Sequence, residues 1–262
     1  MKMIKKILLS LLSVVFFISC GVKKDNTIKI ATSVYPMEEI VKIASKNLEK
    51  KGYKVEIQVL TDYVTANVGL NAKEFDVNFH QHEPFMMIFN AKNNGNLVKV
   101  KAVYDVYVGF YSKKYKNVDE LPDNAKIAIP SDPTNQDRAL RILASENLIT
   151  LKEKDGLYNV SDIESMAKHF EFLQIKIPAL VQAYQEADLV FNWPSHMLKI
   201  GVRPKDSLFL EKENGNKYSI ILAAREDNKD SKKVKDIEEA FLSEEVKQFI
   251  VEKYADEGYP VF

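Results

Sequence analysis

Two of the chain's four histidines, His80 and His82, lie two residues apart in FDVNFHQHEPF (75–85), directly before Glu83. On a strand this spacing turns both imidazoles to one face. Two imidazoles and a carboxylate form a donor set that suits zinc. The same residues admit two other uses, the wall of a pocket or a structural pair. Against a metal, His169 and His196 lie in no spaced cluster with them, and Pro84 right after Glu83 marks a helix start. A second constellation is SDPTNQDRALRILASE (131–146), where Asp132 is placed to cap a helix and Pro133 to take its first position. Thr134, Asn135 and Arg138 then share a face near the positive end of that helix. A forked guanidinium, polar neighbours and a favourable dipole suit a carboxylate, although an exposed arginine on a capped helix is the plain alternative.

These residues must be held by elements that the hydrophobic pattern predicts. TIKIATSV alternates as a strand from Thr27 to Thr32, MEEIVKIASKNLEKKG is an amphipathic helix closed by Gly52, and KVEIQVL is a second strand. A helical TANVGLNAKE leads to the strand FDVNF, then to a helix from Glu83–Pro84 and to strands at LVKVKAVY and YVGFYS. KIAIP feeds the helix at Asp132, IPALVQAYQEA is expected to be helical and to feed a strand DLVFN, and YSIILAAR is the last strand. Two helices follow, Lys232 to Leu242 and Ser243 to Tyr254. Alternating strands and helices predict an α/β fold with mostly parallel sheets. LNAKEFDVNF and VQAYQEADLVFN echo each other, and we read them as equivalent elements of two similar lobes aiming strand ends at one cleft.

The beginning, MKMIKKILLSLLSVVFFIS (1–19), has lysines at 2, 5 and 6 followed by an uncharged stretch from Ile7 to Ser19, the pattern of a signal peptide. The single cysteine, Cys20, comes next and resembles the lipid-bearing cysteine of a lipobox, with Phe17 where leucine is usual and Ser19 as the small residue. One thiol at an export boundary forms no internal disulfide. The formal charge of zero becomes mildly acidic once Lys2, Lys5 and Lys6 leave with the leader, and nothing in it suggests a nucleic-acid partner. Neither Gly-x-Ser-x-Gly nor His-Glu-x-x-His occurs, so no enzyme of those classes is indicated.

Three segments together, ATSVYPMEEI, DYVTANVGLNAKEFDVNFHQHEPF and AIPSDPTNQDRALRIL, resemble the methionine-binding lipoproteins that serve ABC importers. The resemblance covers nearly the whole chain after the leader. It implies a two-lobe fold like that of periplasmic binding proteins, with 27–107 and 223–262 in one lobe, 108–222 in the other and 20–26 as a lipid-anchored linker. Crossings between lobes are expected near Tyr107–Phe110 and Ile221–Ala224. It further implies a lipid anchor on Cys20, attachment to the cell membrane facing the periplasm or exterior, and delivery of methionine, a related amino acid or a short peptide to a permease and ATPase complex. No cofactor, metal or enzymatic activity is expected. Carried over residue by residue, Arg138 would hold the ligand carboxylate, with Thr134 and Asn135 beside it and His82 against the ligand. Tyr63, Phe79 and Tyr35 fall at or near wall positions, and His80 stands where an aromatic is usual. The chain departs from the pattern at two asparagines that help hold the ligand ammonium, where it has Ser195 (within Trp193-Pro194-Ser195) and Ile220. Asn192 is the expected substitute, with Glu186 or Asp188 as further sources of charge. The rival readings are a zinc-binding exported lipoprotein using His80, His82 and Glu83, and a surface lipoprotein that binds a protein partner.

Overall fold

Some helices carry apolar residues on one face while the central strands are buried on both, and the way those surfaces meet fixes the architecture. A computed structural model describes residues 26–211 and 215–262. The leader, Cys20 and all but the end of the linker lie outside the described residues. The chain begins β1 (Thr27–Thr32), α1 (Met37–Lys50), β2 (Lys54–Val59), α2 (Tyr63–Asn71), β3 (Val77–His82), α3 (Glu83–Asn93) and β4 (Leu97–Val106). It continues with β5 (Gly109–Tyr111), β6 (Lys126–Pro130), α4 (Pro133–Ser145), β7 (Ile149–Leu151), β8 (Ile163–Met166) and β9 (Glu171–Ile175). Then come α5 (Leu180–Ala183), β10 (Leu189–Asn192), α6 (Pro194–Leu198) and β11 (Ser207–Leu210). The chain ends with β12 (Ile220–Arg225), α7 (Lys232–Phe241), α8 (Glu244–Lys253) and β13 (Gly258–Pro260).

Two sheets result, one of six strands in the order β13-β4-β12-β3-β1-β2 and one of five in the order β11-β5-β10-β6-β9, with β7 and β8 as a separate pair. Each has its own core. In the first, α1 buries Ile40, Val41, Ala44 and Leu48, a helical stripe, together with Ile237 and Phe241 of α7. Phe79 meets Phe241 edge-on at 4.9 Å, a geometry that adds about 0.5–1.5 kcal/mol beyond area burial. The second core joins Leu140 and Leu143 of α4 to Ile127 and Ile129 of β6 and Val190 of β10. Trp193 packs partly against both.

The sheets are mixed, a correction to the expectation of mostly parallel ones. β1 pairs in parallel with β2 and β3, and β6 with β9 and β10, but β12 is antiparallel to both β3 and β4. The cause is the route between lobes. The chain leaves the first sheet at the end of β4 and re-enters it at the start of β12, so these neighbours run in opposite directions. β5 and β11 are antiparallel for the same reason. The first crossing falls between Val106 and Gly109, within the expected stretch. The second falls between Leu210 and Ile220, ahead of the expected Ile221–Ala224, because every residue from Ile220 to Arg225 has a ladder partner in the first sheet. The run IPALVQAYQEA forms less helix than expected: a 3₁₀ turn at Ile177–Ala179, containing Pro178, and the single turn of α5.

The sequence echo has a specific structural meaning. Asp76, before β3, accepts the backbone N–H of Lys29 at 2.8 Å, and Asp188, before β10, accepts that of Lys126 at 2.8 Å. Each aspartate therefore secures the first residues of the strand on which its own strand aligns. Both strands then run into a helix with proline in its first turn, at Pro84 and Pro194. Their carboxyl ends carry His82 and Asn192 toward the boundary of the lobes.

Candidate ligand-binding site

At that boundary lies a cavity of about 590 Å³, counting its open mouth, with walls from both lobes. The first lobe contributes Ser33 and Tyr35 after β1, Tyr63 of α2, His80 and His82 of β3, Phe85 of α3, Tyr104 and Val106 of β4 and Ile220 of β12. The second contributes Asn135 of α4, Ile177, Trp193, and Ser195 and His196 of α6. The surface is largely aromatic and aliphatic with a few polar groups, the usual make-up of a small-molecule site.

The helix α4 meets this wall with a fully organised first turn. Asp132 accepts the backbone N–H of Asn135 at 3.0 Å, the Asn135 Nδ2 group at 3.0 Å and the Thr134 hydroxyl at 3.0 Å. With its nitrogen fixed there, Asn135 turns its Oδ1 to His82 Nε2 at 3.1 Å. His82 Nδ1 accepts the N–H of Phe85 at 3.2 Å, so the proton sits on Nε2 and His82 donates across the cleft. Burial holds the imidazole down at about pKa 3, helped by the nearby charge of Arg138. The ring is therefore neutral at physiological pH and joins a strand end of one lobe to a helix start of the other.

Arg138 is buried and does not line the cavity; it stands behind Val106. Its Nε donates to Glu211 Oε1 at 2.9 Å, and Nη2 donates to Glu211 Oε2 and to the Val106 carbonyl, the latter at 3.0 Å. The Tyr218 ring covers the guanidinium at 4.5 Å. Only Nη1 is without a partner among the described residues. The two-pronged edge that sequence reasoning reserves for a ligand is thus occupied by the chain's own carboxylate. Thr134, bonded back to Asp132, also lies off the cavity wall.

Phe79, expected in the wall, packs into the first core instead. The strand period of two places it opposite His80. Asn192 is fully buried behind the wall, and its Oδ1 accepts from the Trp193 N–H at 3.0 Å and from His196 Nδ1 at 3.2 Å. Its remaining group, Nδ2, is a donor and is unsuited to an ammonium. Asp188 pairs with Lys114 at 2.9 Å, and Glu186 is exposed. Glu83 pairs with Lys99 at 2.6 Å. Among the described residues no group of three His, Cys, Asp or Glu side chains is placed to hold a metal ion. The zinc reading required Glu83 beside the two histidines, and the carboxylate has another partner.

The NlpA lipoprotein family model matches residues 28–262. The chain belongs to this family. The methionine-binding lipoprotein MetQ of Bacillus subtilis is 33% identical over 98% of this chain and 99% of its own length. The D-methionine-binding lipoprotein MetQ of Escherichia coli is 33% identical over 87% of each. Among solved structures, a nutrient-binding protein from Burkholderia cenocepacia bound to methionine is 29% identical, with a TM-score of 0.85 over 90% of this chain and 100% of that one. A YaeC-family lipoprotein from Enterococcus faecalis is 37% identical, with a TM-score of 0.80 over 91% of this chain and all of the other. The two-lobe binding-protein fold is common to them.

Within the NlpA lipoprotein frame, three groups escaped sequence reasoning. Glu211 follows a short strand and carries no local signal of its pairing with Arg138. His196 sits one turn into α6, held by Asn192, and burial lowers its pKa to about 4. Tyr104 and Val106 end a strand that reads as plain core. Only the meeting of the lobes brings Tyr104, Val106 and His196 to one cavity, with Glu211 on Arg138 behind it. The two positions of departure, Ser195 and Ile220, line that cavity.

Proposed function

We propose that this chain is the substrate-binding protein of an ABC importer, holding methionine, a related amino acid or a short peptide between its lobes and delivering it to a membrane permease. The observation that carries this reading is the His82–Asn135 hydrogen bond at 3.1 Å, which links the lobes across a largely apolar cavity. A ligand touching both walls favours the closed state by its differential contacts, and closure is what a permease can recognise. The neutral imidazoles and aromatic rings suit an uncharged side chain. The ligand carboxylate is received at the start of α4, where the helix end is positive and the charge of Arg138 stands close behind the wall. Cys20 carries the lipid that keeps the protein at the membrane, on its outer side.

The test is mass spectrometry of small molecules released when the purified protein is denatured, followed by calorimetry with the species found. Recovery of methionine or a methionine-bearing peptide, bound stoichiometrically, is the expected result. Release of a compound with neither an amino-acid nor a peptide backbone would overturn the reading.

A further inference from the structure

Two polar atoms in residues of the cavity wall are buried and have no partner among the described residues, His80 Nδ1 and the Tyr104 hydroxyl. Both residues belong to the first lobe, and both are at least nine-tenths buried. His80 is the more informative because its neighbours fix its proton. Its Nε2 faces Asn67 Oδ1 at 3.3 Å, and that oxygen also accepts from Asn78 Nδ2 at 2.7 Å and Gln81 Nε2 at 2.6 Å. An amide oxygen can only accept, so in this contact the ring donates and His80 carries its hydrogen on Nε2. Nδ1 is then a bare lone pair. Burial keeps the ring neutral, with a pKa near 3 against a smaller opposing pull from its own backbone, so Nδ1 stays an acceptor across the physiological range. Tyr63 lies beside it, ring centres 5.9 Å apart, and closes that side of the wall with an aromatic surface.

A native protein seldom leaves a buried acceptor unmet, and an exception beside a ligand cavity points to a partner that arrives with the ligand. We propose that His80 is a specificity-determining residue of this site, whose Nδ1 accepts a hydrogen bond from an N–H of the bound ligand. The inference rests on the binding-protein reading above and adds a chemical demand to it. A ligand with an ammonium or a side-chain amide at this place is selected over one that presents only carbon or sulfur. Ile220 and Val106 elsewhere on the wall offer alkyl side chains, which cannot meet such a donor.

Two substitutions separate the ligand contact from the structural one. His80→Gln keeps an N–H within reach of Asn67 and loses the acceptor at Nδ1. His80→Asn keeps an acceptor oxygen near Nδ1 and gives up the link to Asn67. Calorimetry would use methionine, 4-(methylthio)butanoate, which is methionine without its amino group, and glutamine, which matches methionine in length and adds a side-chain amide. We expect His80→Gln to weaken a ligand that supplies the donor by about tenfold or more and His80→Asn to stay within about threefold of wild type. Loss for methionine and glutamine but not for 4-(methylthio)butanoate identifies the ammonium as donor, and loss for glutamine alone identifies the side-chain amide. In the wild type, the ¹⁵N resonance of His80 Nδ1 should also move when the bound probe is added. Binding that His80→Gln leaves unchanged for all three, equal damage by His80→Asn, or an unmoved Nδ1 resonance would each overturn this inference alone. Failure of all three probes to bind wild type would overturn the amino-acid reading together with it.

Discussion

Arg138 is the residue at which sequence and structure differ most usefully. Its type and its place at the start of α4 mark it as an anion site, yet two of its three nitrogens are committed to Glu211 and Val106. The pair is electrically balanced before any ligand enters. The fork holds the arginine still behind the cavity wall, and on the reading proposed above its charge would favour a ligand carboxylate through that wall. Arg138→Ala should lower affinity for methionine by about 2–5 kcal/mol, since a carboxylate would enter a dry cleft without its cation. It should also lower thermal stability, because Glu211 would lose its ion-pair partner. Arg138→Lys should restore part of the stability and little of the affinity, as a point charge cannot serve Glu211, Val106 and a ligand from fixed directions. Calorimetry and thermal unfolding on the three proteins check both halves, and full affinity in Arg138→Ala would remove Arg138 from the site.

At the scale of elements, the site depends on how strands end and helices begin. β3 ends in His82, which itself caps α3 through the N–H of Phe85, and α4 begins at Asp132, which organises Thr134 and Asn135. One aspartate thus does two things: it closes a helix terminus, and it orients the amide that faces His82. Asp132→Ala should cost about 1 kcal/mol of stability, the usual worth of a cap. It should weaken ligand binding as well, because Asn135 would be free to turn its amide away from His82. Urea unfolding and calorimetry on the same variant distinguish the two effects; a stability loss with unchanged affinity would show that His82 holds Asn135 without help.

At the scale of the whole molecule, the two crossings carry the coupling between lobes, and one buried acid sits beside the first of them. The Glu257 carbonyl accepts the N–H of Tyr107 at 2.9 Å, while its side chain is buried and Oε2 has no partner among the described residues. Burial, with the charge of Asp256 adding to it, raises its pKa from 4.5 to about 7. A raised acid binds its proton more tightly when folded, so its favourable contribution is complete below pH 4.5 and is lost as pH rises through 7. At about 1.4 kcal/mol per pKa unit, the loss is on the order of 3–4 kcal/mol. Glu257→Gln should therefore be more stable than wild type at pH 8 and indistinguishable from it near pH 4.5. Denaturant unfolding at both pH values measures this, and equal stability at pH 8 would mean that the carboxylate is ionised without penalty.

The sequence by itself determined the elements and much of their chemistry. Period and capping residues placed β3, α3, β6 and α4, because these signals act within a few residues along the chain: Pro84 and Pro133 in first turns, Asp132 beside the donors it caps. The family motifs, from Asp62-Tyr63 through Gln81-His82 to Arg138, include His82, Tyr63 and Asn135, which line one cavity. Tertiary structure decided what no local signal holds. It paired Arg138 with Glu211, 73 residues along the chain. It also turned Phe79 inward while its neighbour His80 faced the cleft. The mixed sheets and the second crossing, ahead of Ile220, follow from a chain that leaves one lobe and returns to it, a route fixed only when both cores form. Burial then decided protonation: the same imidazoles that would titrate near neutrality on a surface stay uncharged in the cleft, and that neutrality makes His80 an acceptor and His82 a bridge.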